Sequence, residues 1–334
     1  MPDLRRDPVT GRWVIIATDR ILRPQDLLPP QPPRGPASGL CPFCPGEERL
    51  TPREILAHRP AGGEPNSPGW QVRVIPNKFP ALQVEGTLDR EGIGLFDRMN
   101  GIGAHEVILE TPDHKETLAD LPPARLEGVL RAFRDRITDL KRDMRFRYIA
   151  VFKNHGAPAG ATLDHSHSQL IALPVIPPLP LAELQGCRQH YRDKERCIYC
   201  DVIKQEQREA ARVVVDNPAF TCLTPYAARF PFEMCILPKH HAKSFEDSDD
   251  GLLEWCARIL SETLRRMDRV LARPAYNLVL HNAPLHDRRT PFYHWHLEIA
   301  PRLTQMAAFE WGTGCHVNPI APEESAKFLR EAEI

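Results

Sequence analysis

Apolar residues recur along this chain in two registers. Leu126, Leu130, Phe133, Ile137 and Leu140 fall at helical spacing, as do Leu253, Cys256, Leu260, Leu264 and Met267. Both sets predict amphipathic helices with one face turned to a core. Short apolar runs between polar turns predict strands at Val72 to Pro76, His105 to Leu109, Phe146 to Phe152, Val213 to Asp216, Phe232 to Ile236 and Tyr276 to Leu280. The stretch Glu323 to Glu333 predicts a last helix, with Pro322 just ahead of it. Residues 20–40 are proline-rich and predict a loop arm, and Pro174 to Pro180 predicts a linker.

These elements are arranged twice. Cys41-Pro-Phe-Cys44 has a counterpart in Cys197-Ile-Tyr-Cys200. The strand Val72 to Pro76 aligns with Val213 to Asp216, and His105 to Leu109 with Phe232 to Ile236. Each of the latter strands runs into a histidine-bearing turn, Pro112-Asp113-His114 or Pro238-Lys239-His240-His241. A helix, a strand and a His-x-His follow in both halves: His165-Ser166-His167 and His294-Trp295-His296. His114 to His165 is 51 positions and His241 to His294 is 53. Shared order and spacing predict an α+β fold of tandem duplicated modules, each an antiparallel sheet flanked by helices. The division falls at 1–178 and 179–334.

Composition narrows the class. No run of ~18 apolar residues is present to span a membrane, and Met1 to Asp7 lacks the apolar core of a signal peptide. Both point to the cytoplasm. A net charge of -1 and 7% aromatic residues argue against a zinc-stabilised nucleic-acid-binding module, which wants basic clusters interleaved with aromatics. Nine cysteines cannot all pair, so the Cys-x-x-Cys turns read as metal ligands or redox dithiols. Cys222, Cys235 and Cys256 sit among apolar neighbours and read as packing residues.

Zinc favours a tetrahedron, often of two cysteines and two histidines. Each half offers such a set: Cys41, Cys44, His114 and His165, and Cys197, Cys200, His241 and His294. That predicts two zinc ions per chain. His240 is the alternative to His241, although aligning Asp113-His114 over His240-His241 favours the latter.

The richest stretch runs from Asn154 to Gln169. Its small residues let the backbone approach a bulky anion, and free amides there can cradle phosphate. On an extended chain His165 and His167 point to the same side. The plainer reading makes both metal ligands. The glycine-rich approach and the nearby Gln169 favour one ligand, His165, and one nucleophile, His167. A neutral imidazole attacks phosphorus through one nitrogen while an acceptor holds the proton of the other. Arg20 and Arg23 can neutralise phosphoryl charge, or simply form a solvated basic turn. Glu298 stands where the first half has Gln169, and a carboxylate there would repel phosphate, so the second His-x-His is not a second active site. His155, His281, His286 and His316 read as satisfied polar residues.

The arrangement resembles the galactose-1-phosphate uridylyltransferase branch of the histidine triad superfamily, over nearly the whole chain. The matching pieces are Arg20 to Arg23, Cys41 to Cys44, Val74 to Pro80, Pro112 to His114, Asn154 to Gln169, Phe232 to His241 and His294 to His296. The His-Ser-His-Ser-Gln element is the most specific. The resemblance implies that His167 forms a covalent nucleotidyl intermediate and that Cys41, Cys44, His114 and His165 hold a structural zinc. It implies that Arg20, Arg23, Asn77, Asn154, Thr162 and Gln169 surround the phosphates and nucleotide. It also implies a homodimer, with Phe309 to Gly314 of one subunit near the other's sugar site.

The implied reaction is transfer of UMP from UDP-glucose to galactose-1-phosphate by a ping-pong mechanism. The alternative is a phosphorylase of ADP-glucose or of a dinucleoside polyphosphate using the same histidine, and the Phe-Glu-x-Gly-Thr-Gly tail also occurs in relatives acting on ADP-glucose. Gln169 stands where hydrolases of the superfamily carry a third histidine. That suits a leaving group that needs no strong acid.

Overall fold

A computed structural model describes residues 2–18, 24–27, 40–287 and 290–334. Its strands are β1 (Asp3–Arg6), β2 (Trp13–Ile16), β3 (Leu56–His58), β4 (Val72–Pro76), β5 (Glu91–Ile93), β6 (Phe96–Arg98), β7 (Ala104–Leu109), β8 (Tyr148–His155), β9 (His167–Leu173), β10 (Val213–Asp216), β11 (Phe220–Leu223), β12 (Met234–Pro238), β13 (Tyr276–His281), β14 (His296–Pro301) and β15 (His316–Asn318). The helices are α1 (Pro123–Leu140), α2 (Pro178–Lys194), α3 (Ile198–Glu209), α4 (Asp250–Leu271), α5 (Ala308–Thr313) and α6 (Pro322–Arg330). No helix among the described residues is long and apolar enough to cross a membrane.

The two halves share one sheet. Ten strands lie in the order β10-β11-β12-β14-β13-β8-β9-β7-β4-β3, and every neighbouring pair is antiparallel. Read outward from the β13–β8 seam, the order is a palindrome, so β14 answers β9, β12 answers β7 and β11 answers β4. Val72 to Pro76 is therefore matched by Phe220 to Leu223. The alignment to Val213 to Asp216 in the sequence was one strand out, because the short strand Leu56–His58 carries no apolar run to announce it. Joining the halves leaves only two sheet edges where separate modules would have four.

One face of this sheet packs on α1 and α4. Leu126, Leu130, Phe133 and Ile137 from α1, and Leu253, Leu260, Leu264 and Met267 from α4, share a single core with Val74, Ile108, Ile236 and Leu297. The helices follow the predicted stripes, and Asp249 caps α4 by accepting from Leu252 N–H at 2.7 Å. The proline segment differs from the linker expected of it. Pro177 and Pro178 open α2, where a missing N–H costs nothing. The opposite face of the sheet carries two smaller clusters: Phe43, Trp70, Ile75, Val107 and Leu109 in the first half, and Ile198, Tyr199, Leu237, Phe292 and Tyr293 among those in the second. The candidate site lies on this face.

Candidate nucleotidyl-transfer and metal sites

Both cysteine–histidine sets close as the spacing predicts. The ligand atoms of Cys41, Cys44, His114 and His165 all lie within 4.8 Å of one another, and so do those of Cys197, Cys200, His241 and His294. His240 is exposed and outside the second group. Sulfur-to-Nδ1 distances are 3.5 to 3.7 Å in the first group and 3.6 to 3.7 Å in the second. A tetrahedral zinc with Zn–S of ~2.3 Å and Zn–N of ~2.0–2.1 Å separates S and N by roughly 3.5–3.6 Å. The donor sets therefore fit that ion.

The second nitrogens agree. His165 Nε2 donates to the Thr111 carbonyl at 2.8 Å, and His294 Nε2 to the Pro238 carbonyl at 2.9 Å. A carbonyl can only accept, so each ring is bare at Nδ1 and ready to ligate. Burial and the neighbouring Cys41 push the Cys44 thiol up to about 11, a cost that a divalent cation offsets.

His167 opens β9, two residues past the ligand His165. Its Nδ1 lies 2.7 Å from the His165 carbonyl, so the proton is on Nδ1 and Nε2 keeps its lone pair. Burial lowers its pKa below that of a free imidazole and favours the neutral nucleophile. Phe43, between the two cysteines, sets its ring edge against both histidines, with centroids 6.1 Å from His165 and 5.4 Å from His167. Nothing in the sequence marked Phe43 beyond its place inside the Cys-x-x-Cys turn.

The blind side of the same strand is clamped. Ser166 and Ser168 point away from His167 and donate to Glu110 at 2.7 and 2.5 Å. Lys153 on β8 donates to Glu110 at 2.6 Å, to Ser166 at 3.0 Å and to the His167 carbonyl at 3.1 Å. Lys153 and Glu110 are fully buried, and burial, which would raise the Glu110 carboxyl, is outweighed by Lys153 together with the Ser166 and Ser168 hydroxyls, which lower it. Losing one partner strands the other charge. Lys153→Met should therefore destabilise the protein by about 3–5 kcal/mol, measured by denaturant melts, and the double change with Glu110→Gln should recover part of that loss.

The remaining predicted residues do not all meet. Gln169 and Asn77 meet on the nucleophile's face, joined through His105, whose Nε2 lies 2.9 Å from Gln169 Oε1 and 3.1 Å from Asn77 Nδ2. His105 was read only as part of a strand, since a histidine at a strand start has no pattern of its own. Asn154 lies on β8 two residues beyond Phe152, which pairs with Gln169, and its Oδ1 accepts from Asn277 at 2.8 Å. Thr162 is exposed in the loop before His165. Gly156 and Gly160 turn this loop with φ of 79° and 90°, which explains the glycines. Arg20 and Arg23 lie outside the described residues. Phe309 and Trp311 are exposed on α5.

The second half has a different chemistry. His296 Nδ1 faces the His294 carbonyl at 3.1 Å, echoing His167, but its ring stacks on His281 at 4.5 Å. Glu183 of α2 joins them, and the three ligand atoms lie within 4.8 Å. Burial, and then His281, push His296 down to about 3. Burial would raise Glu183, but His281, His296 and the Tyr293 hydroxyl together bring the carboxyl down to about 2. Glu298, the counterpart of Gln169, pairs with Arg229 and approaches His281 Nε2 at 3.3 Å. Glu183 escaped the sequence reading because α2 begins inside the supposed linker.

Residues 1–177 match the N-terminal domain of galactose-1-phosphate uridyl transferase, and residues 183–330 match its C-terminal domain. The chain belongs to this family. Within it, the chain is 36% identical to an Arabidopsis thaliana ADP-glucose phosphorylase, over all of this chain and 93% of that one. It is 29% identical to a Thermotoga maritima galactose-1-phosphate uridylyltransferase, over all of this chain and 99% of that one. The crystal structure of the Arabidopsis ADP-glucose phosphorylase with bound ADP-glucose superposes with a TM-score of 0.84 at 34% identity, covering all of both chains. A member of this uridyl transferase family with such relatives is a nucleotidyltransferase.

Proposed function

We propose that this uridyl transferase family member carries a nucleoside monophosphate on His167 Nε2, taking AMP from ADP-glucose and passing it to inorganic phosphate. The observation that carries the covalent step is the His165 carbonyl on His167 Nδ1, which fixes the proton away from the attacking nitrogen. Attack on the nucleotidyl phosphorus releases glucose-1-phosphate, a stable anion that needs no general acid. Phosphate then displaces His167 and leaves as ADP. Gln169, Asn77, Asn154, Thr162, Arg20 and Arg23 form the surroundings of the phosphates and nucleotide in this reading. Zinc occupies both cysteine–histidine groups as a structural ion, and the halves divide at 178/179. The functional unit is a cytoplasmic homodimer whose partner contributes Phe309 to Gly314. What favours adenylyl transfer is the 36% identity over the full chain to an ADP-glucose phosphorylase.

A second reading has a specific observation behind it. Both halves match the uridyl transferase family, which favours UMP from UDP-glucose with galactose-1-phosphate as acceptor. Discrimination lies in the base pocket, since a phosphate-centred site holds either nucleotide at its anionic end, and a pyrimidine pocket excludes a purine by volume. The test is to mix the protein with ADP-glucose or UDP-glucose without acceptor and weigh the intact chain under non-acidic conditions. An AMP adduct from ADP-glucose alone is the expected result. A UMP adduct from UDP-glucose alone replaces it with the second reading, and no adduct from either refutes the covalent mechanism.

A further inference from the structure

Gln169 carries an acceptor and a donor on one amide, and the end that meets substrate decides what it does. A carbonyl oxygen repels a phosphoryl oxygen, whereas an amino group donates to it. The two ends are told apart by their hydrogen-bond partners.

The deciding partner is His105 of β7. The backbone N–H of Ala81 points at His105 Nδ1 from 3.2 Å. A main-chain amide cannot be turned round, so Nδ1 is the acceptor. In the neutral ring the proton then sits on Nε2. That N–H donates to Gln169 Oε1 at 2.9 Å and leaves the Gln169 amino group free. Asn77 is fixed by the same logic. The backbone N–H of Phe79 donates to Asn77 Oδ1 at 2.9 Å, so its amino group is the end 3.1 Å from His105 Nε2. Donors therefore face one another on the nucleophile's side of the sheet, an arrangement that an incoming anionic oxygen relieves.

We propose that His105 is a positioning residue: held in its Nε2–H form by the Ala81 amide, it orients Gln169 with the amino group outward and, with Asn77, builds a donor-only patch that selects a phosphoryl oxygen beside His167. This rests on the reading of His167 as nucleophile. The duplicated half supports the contrast. There Glu298 replaces Gln169 and takes Arg229 and His281 as partners, so an acceptor stands where the first half presents a donor.

His105→Leu removes the orienting donor, whereas His105→Gln keeps an N–H close to the position of Nε2. The measurement is the single-turnover rate of nucleotidyl adduct formation with ADP-glucose and with UDP-glucose, alongside metal content and thermal melting. The His105→Leu protein should form adduct roughly 10- to 100-fold more slowly, less than the ~10²–10³-fold that deleting such a donor outright can cost. His105→Gln should restore most of the rate. In a Gln169→Ala background, His105→Leu should cost little more, because it acts through the missing side chain. A packing role predicts instead the same loss in both backgrounds, together with a lowered melting temperature, and that result overturns the proposal. So does a His105→Leu protein that forms adduct at the parental rate. A parental chain that forms no adduct from either nucleotide sugar refutes the nucleophile reading itself, and this proposal with it.

Discussion

The His167→Gly protein is expected to lose nucleotidyl transfer by about 10⁴-fold or more while it keeps both metal ions, since removing a covalent nucleophile outright has effects of up to ~10⁶ in kcat. His165→Gly should also be inactive, but with one metal equivalent gone. The two histidines lie two residues apart, His165 just ahead of β9 and His167 at its start, and differ in what their rings bind. His165 donates through Nε2 to Thr111 and turns Nδ1 toward two thiols. His167 donates through Nδ1 to the His165 carbonyl and keeps Nε2 bare. Metal analysis therefore separates them where an activity assay does not. If His167→Gly releases metal as His165→Gly does, both are ligands and the nucleophile assignment fails. The intact mass gives an independent reading, because only a protein with His167 should gain a nucleotide from its donor.

The grouping of the cysteines and histidines was legible in the sequence, and the reason is spacing. A Cys-x-x-Cys turn and a histidine next to a strand are local patterns, and their repetition at 51 and 53 positions made each support the other. The long helical stripes of α1 and α4 were equally plain, since a period sustained over four or five turns has few competing readings. What was not legible depends on pairs of residues with no fixed separation. His105 and Gln169 are 64 positions apart and meet only because β7 and β9 are neighbours. Glu110 and Lys153 are 43 apart and look like ordinary surface charges until the sheet buries them. The fusion of two sheets through β8 and β13 is likewise a tertiary fact, because either strand alone would pass for an edge. The alignment of Val72 to Pro76 failed for a related reason. A three-residue strand such as Leu56–His58 is too short for alternation to be seen, so the count of strands before it slips by one.

The two metal groups should prove unequal in function though alike in geometry. Cys44→Ser and Cys200→Ser should each remove one metal equivalent. Each group ties three separate pieces of chain. The first joins the Cys41–Cys44 turn, the segment after β7 and the approach to β9, two residues ahead of it. The second joins the start of α3, the segment after β12 and the approach to β14, two residues ahead of it. Structural zinc contributes ~10–16 kcal/mol to peptides that cannot fold without it, and a chain with its own core should lose only part of that. Even about 4 kcal/mol would lower the melting temperature by roughly 10 °C, at ~2–4 °C per kcal/mol for units of 150–250 residues. Both variants should show such a shift by calorimetry. Activity at low temperature should divide them. The first group holds His165, whose carbonyl sets the tautomer of His167, so Cys44→Ser should lose adduct formation along with its metal. In the second group the equivalent carbonyl serves His296, which is stacked on His281 and lies in the half where Glu298 stands in place of Gln169. Cys200→Ser should therefore still form the adduct below its lowered melting point. If Cys200→Ser is inactive while still folded, the second group takes part in the reaction. If Cys44→Ser keeps its rate without its metal, the carbonyl contact does not depend on the ion, and the coupling of metal to nucleophile is wrong.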